Sequence, residues 1–95
     1  MKKLFYRVQA GDTLADISIK LNIPIRWLIL ENNLTAEVEE GDLLYAEQKD
    51  FKTYTVKPTD TPKTIADKFC FLESEFLELN QIEYVYFGQV VYLPK

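Results

Sequence analysis

The sequence predicts an α+β protein of two consecutive units. Each runs strand, helix, helix, strand, with its end strands paired as a two-stranded antiparallel sheet covered by the two helices. Three observations carry this reading. First, the chain repeats itself: Tyr6-Arg7-Val8-Gln9-Ala10-Gly11-Asp12-Thr13 returns 48 residues on as Tyr54-Thr55-Val56-Lys57-Pro58-Thr59-Asp60-Thr61. Ile17 then falls on Ile65, Leu28 on Phe76, Asn32 on Asn80 and Leu34 on Ile82, until a one-residue deletion sets Gly41 on Gly88 and Tyr45 on Tyr92. Second, each half begins and ends in short alternating β-branched and aromatic runs. Third, apolar residues between those runs recur at helical spacing.

The elements follow in order. Leu4-Phe5-Tyr6-Arg7-Val8 and Thr53-Tyr54-Thr55-Val56 read as opening strands. A helix starts directly after each: Thr13 is placed to cap with Asp16 three residues on, and Thr61 precedes Pro62, which suits the first helical position. Ile17 with Leu21, and Ile65 with Phe69, form the buried stripe of these helices. Asn22-Ile23-Pro24 and Cys70-Phe71-Leu72 interrupt the helical run. A second helix follows in each half, with Ile25, Leu28 and Ile29, or Leu72, Phe76 and Leu79, expected to face inward. Both end at an asparagine, Asn32 or Asn80, a residue that tolerates the left-handed conformation a helix terminus often needs. Polar loops lead through Gly41 or Gly88 to closing strands Leu43-Leu44-Tyr45-Ala46 and Val90-Val91-Tyr92-Leu93, the latter stopped by Pro94. The expected division is residues 1–47, a short connection at 48–53, and residues 54–95.

Units this small have slender cores, supplying roughly 3–5 kcal/mol. The single cysteine and the absence of histidine exclude intrachain disulfides and the common zinc-ligand sets, so no metal or cofactor is expected. Cys70 is expected in the core near Phe69 and Phe71. A net charge of −4 with no basic run argues against nucleic acid and acidic membrane surfaces. Arg7, Gln9 and Asp12 interrupt the apolar stretch a secretory signal needs. A protein cytoplasmic at synthesis is therefore expected, with later delivery to a cell envelope, spore surface or phage particle open.

Tyr6-x-Val8-x-x-Gly11-Asp12-Thr13-Leu14-x-x-Ile17 in the first half and Gly88-Gln89-Val90-Val91-Tyr92-Leu93-Pro94 in the second resemble the LysM family of βααβ modules. The resemblance covers residues 6–47 and 54–94. It implies non-catalytic binding of peptidoglycan, chitin or another N-acetylglucosamine polymer in a shallow groove between the loop before the first helix and the loop after the second. Carried over by position, the first groove would use Gly11, Asp12, Thr13 and Leu14 on one side and Asn33, Leu34 and Thr35 on the other. The second would use Thr59, Asp60, Thr61 and Pro62 against Gln81, Ile82 and Glu83. Thr59 replaces the glycine and Pro62 the leucine, so the first module is expected to bind more strongly.

Several residues have competing readings. Asp12 and Asp60 suit helix capping as well as sugar contact. Tyr84, Tyr86 and Phe87 suit sheet packing as well as a sugar face. Trp27 and Leu30 form a second apolar face where the other half carries Glu75 and Glu78. That face suits contact between the halves, a homo-oligomer, or another protein. Glu37, Glu39 and Glu40 read as solvated loop charge, because a glycosidase pair needs a rigid setting. With no nucleophilic constellation, no catalytic residue is expected. The runner-up to glycan binding is a protein assembly module, such as a spore-coat or phage-tail component, that keeps the fold.

Overall fold

In the computed structural model, which describes residues 2–94, eight elements appear in the expected order. They are β1 (Lys2–Arg7), α1 (Leu14–Leu21), α2 (Ile25–Asn32), β2 (Leu43–Gln48), β3 (Lys52–Thr55), α3 (Pro62–Phe69), α4 (Glu73–Asn80) and β4 (Val90–Leu93). β1 pairs antiparallel with β2 from Lys2↔Gln48 to Arg7↔Leu43, and β3 pairs antiparallel with β4 from Lys52↔Leu93 to Thr55↔Val90. Two separate two-stranded sheets result. Because the strands extend through Gln48 and begin again at Lys52, only residues 49–51 join them.

A two-stranded sheet is not stable alone, and each is buried by its own helices. Val8, Ile17, Ile23, Leu28, Leu44 and Ala46 belong to the first core; Val56, Ile65, Phe76, Val91 and Leu93 form the second. The helix starts obey the sequence. Thr13 and Asp16, and likewise Thr61 and Thr64, close reciprocal capping boxes.

The second helix of each module ends at the expected asparagine. Asn32 and Asn80 are the last helical residues, but the left-handed positions are the next ones, Asn33 (φ 52°) and Gln81 (φ 55°). The two asparagines instead join helix to strand. Asn80 Nδ2 donates to the Phe76 carbonyl (3.0 Å) and the Tyr92 carbonyl (2.9 Å), while its Oδ1 accepts the Tyr92 N–H (2.7 Å). Asn32 makes the same three bonds to Leu28 and Tyr45. The side chain thus serves the free edge of the closing strand as a neighbouring strand would.

Three expected core residues lie outside. Cys70 is exposed, because as the left-handed residue ending α3 (φ 61°) it turns off the buried stripe. Phe71 takes the inner place, stacked on Phe76 at 5.5 Å between ring centroids. Leu72 is 63% exposed because it stands before the first turn of α4, outside its inward face. Phe69 is 40% exposed, its ring at the rim against Tyr54 (5.2 Å).

The two modules touch. Trp27 packs on the first core and its Nε1 donates to the Leu79 carbonyl of the second module (3.0 Å). Lys49 Nζ lies 4.5 Å from the Trp27 ring centroid, while the Lys49 N–H bonds the Tyr92 hydroxyl. Asn22 Nδ2 donates to Thr53 Oγ1 (2.7 Å). Leu30 does not share this fate and remains 40% exposed. Tyr92 also packs on Phe51 at 5.7 Å between ring centroids, and all of β4 is buried whereas β2 keeps an exposed end at Leu43.

Candidate functional site

Both candidate grooves rest on the same backbone frame. In the first module the Val8 N–H bonds the Asp42 carbonyl (2.8 Å) and the Gly41 N–H bonds the Val8 carbonyl (2.9 Å). Val56, Gln89 and Gly88 repeat the pair at 2.9 Å each. These bonds prolong each sheet just far enough to bring the loop before the first helix beside the loop after the second.

The turn on the near wall differs between modules. Asp12 N–H closes on the Gln9 carbonyl (3.1 Å) and Asp60 N–H on the Lys57 carbonyl (3.1 Å). Gly11 occupies the third position with φ 82°, the requirement of a type II turn. Thr59 is not among the positive-φ residues, and Pro58 stands where proline favours either common turn type. The central peptide of the first turn therefore faces a direction that the second turn does not reproduce.

Asp12 and Asp60 are held by a motif that appears in both modules. Asp12 accepts from the Tyr6 hydroxyl (2.5 Å), the Gln9 N–H (3.0 Å) and Lys20 Nζ (2.8 Å). The Lys20 ammonium, then the Tyr6 hydroxyl and the Gln9 N–H, hold its carboxyl at about 2, below the ordinary 3.8. Asp60 repeats the arrangement with Tyr54, the Lys57 N–H and Lys68, and its carboxyl is lowered chiefly by the Tyr54 hydroxyl. Tyrosine, aspartate and lysine recur at the 48-residue offset, a signal present in the sequence but not read there. These aspartates brace the turn rather than the helix cap, which Thr13 and Thr61 supply.

The remaining candidates are dispersed in role. Thr13 gives its N–H and its hydroxyl oxygen to the capping box. The Leu14 side chain is buried in the first core, so only its backbone faces the far wall. On that far wall Asn33 and Thr35 are exposed and Leu34 packs half-buried on the core. In the second module Thr61 caps α3, Pro62 is half-buried, and Gln81 Nε2 bonds the Glu78 carbonyl (2.7 Å). Gln81, Ile82 and Glu83 line a cleft of about 330 Å³ together with Tyr84 and with Ile25 and Arg26 of the first module. Thr59 to Pro62 are not among the described residues lining it.

Sequence reasoning missed the residue that joins the loop after α2 to the start of α1. Glu37 Oε1 accepts the Leu14 N–H across the candidate groove (2.7 Å) and the Val38 N–H beside it (3.1 Å), so it is not simply solvated charge. Its position was signalled by the deletion: Ala36 aligns with Tyr84 and Val38 with Val85, which leaves Glu37 as the extra residue of the first loop. Among the described residues no group of His, Cys, Asp and Glu is arranged to hold a metal ion, and no helix is long and apolar enough to cross a membrane.

Comparison with known proteins bears on the fold and the family. Two solved structures of spore cortex-lytic enzyme SleL are similar in fold. That of Bacillus megaterium QM B1551 is 22% identical over 95% of this chain and 22% of its own, with a TM-score of 0.50. That of Bacillus cereus is 20% identical over 100% of this chain and 23% of its own, with a TM-score of 0.47. The chain thus spans less than a quarter of either enzyme. A comparison with curated proteins finds no match. The family model described as LysM domain matches residues 6–48 and again residues 54–94. With both of its halves matched, the chain belongs to the LysM family.

Proposed function

We propose that this chain is a non-catalytic glycan-binding protein that takes an N-acetylglucosamine-containing polymer, such as peptidoglycan, in the grooves of its modules, chiefly the first. Family membership of both halves supports the class of ligand. The observation that carries the choice of module is the Gly11 turn. Its φ of 82° and the lack of a Cβ leave the backbone open to close approach, whereas Pro58-Thr59 and Pro62 stiffen the second loop and remove amides from it. An N-acetyl group presents an acceptor, a donor and a methyl, which backbone groups beside half-buried Leu34 suit.

Titration with N-acetylglucosamine oligomers, followed by backbone amide shifts, tests this reading. Shifts confined to residues 11–14 and 33–35 are expected at millimolar sugar. Shifts in both modules would make the protein bivalent, and none at all would overturn glycan binding in favour of an assembly role.

A further inference from the structure

We infer that Glu37 is a built-in competitor in the first groove, its carboxylate holding the backbone N–H that an incoming acetyl carbonyl would otherwise take. This rests on the groove being the glycan site. Leu14 is the first residue of α1, where backbone N–H groups lack partners within the helix. The capping box takes the N–H groups of Thr13 and Asp16. Glu37 takes that of Leu14 at 2.7 Å, from the opposite wall. A carboxylate accepts more strongly than an amide carbonyl, and this one is tethered to the groove it fills. A neutral N-acetyl group must therefore displace a charge-assisted bond before it can use the same donor.

The second module shows that the contact is not required by the fold. Its loop lacks the residue corresponding to Glu37, and Pro62 has no N–H to be satisfied. Both halves of the contact are absent together, and α3 forms with the same capping geometry. Glu37 is itself exposed, so its side chain is free to leave. Its charge also selects: a glycan carrying a carboxylate beside the acetamido group meets repulsion in addition to competition.

Calorimetric and amide-shift titrations of wild type, Glu37→Ala and Glu37→Gln with N-acetylglucosamine oligomers test this. Glu37→Ala is expected to bind about tenfold more tightly, which corresponds to about 1.4 kcal/mol. Glu37→Gln, whose neutral carbonyl still reaches Leu14, falls between. Faster hydrogen exchange at Leu14 and Val38, the two amides Glu37 holds, with the capping-box and core amides unmoved, verifies in Glu37→Ala that the contact was lost and the fold kept. Equal or weaker binding by Glu37→Ala would make Glu37 a brace and overturn the competitor role. Absence of shifts at residues 11–14 in all three proteins would overturn it differently, by removing the glycan site itself.

Discussion

Replacing Asn80 by alanine tests whether the asparagine joining α4 to β4 is a structural keystone. Asn80 is fully buried, and its side chain satisfies both the N–H and the carbonyl of Tyr92. Alanine leaves those two groups buried without partners, each costing about 1–3 kcal/mol, so the expected loss is about 2–6 kcal/mol. A protein of 95 residues has a total stability of about 5–14 kcal/mol, of which one module holds roughly half. The variant therefore unfolds its second module under conditions where the first stays folded. Aspartate is no remedy, since a carboxylate accepts from the Tyr92 N–H but cannot donate to its carbonyl.

Urea unfolding followed by Trp27 emission and circular dichroism reads this outcome, because Trp27 touches the second module through the Leu79 carbonyl. The variant should show an early transition in which the indole environment changes while half of the secondary structure persists. Asn32→Ala serves as the control. Asn32 is only half-buried, so water can replace part of what it supplies, and a loss of about 1–2 kcal/mol is expected. A loss below about 0.5 kcal/mol in Asn80→Ala would refute the reasoning.

Acidification should act through the tyrosine–aspartate–lysine motif. Asp12 has a folded value of about 2 against an ordinary 3.8, so the stability from its ionised form is present above about pH 4 and is lost as pH falls through about 2. Melting temperature is expected to decline across that window, less steeply in Tyr6→Phe; identical slopes would show that the Tyr6 contact does not couple to folding. Trp27→Phe removes one hydrogen bond between the modules, worth about 0.5–1.5 kcal/mol. Amide signals of the two modules should then disappear at separate temperatures during heating, and one shared transition with an unchanged midpoint would count against coupling through the indole.

Much of the framework was legible because local rules and repetition agreed. Thr13 and Thr61 mark helix starts through chemistry that reaches only three residues ahead, and the same boundary is written in two different ways. The asparagines show where such reading stops. A polar residue at the end of a helix looks the same in sequence whether it adopts a left-handed conformation or reaches to a strand, and only the partner 12 or 13 residues away separates the two. Cys70 was misplaced because its hydrophobic neighbours suggested burial, while the left-handed turn that ends α3 carries it outward. Glu37 sat in a run of acids whose composition says solvent, and its register against the second repeat held the better clue.

In the proposed glycan-binding role, the joint between the modules decides how a long ligand is met. With three residues joining the strands and bonds on either side from Asn22 to Thr53 and from Trp27 to Leu79, neither half swings about the other as beads on a string would. Little orientational freedom is left to surrender when a strand of polymer lies across both. The same rigidity sets a pitch: a second foothold is gained only on chains whose own repeat falls in step with that spacing.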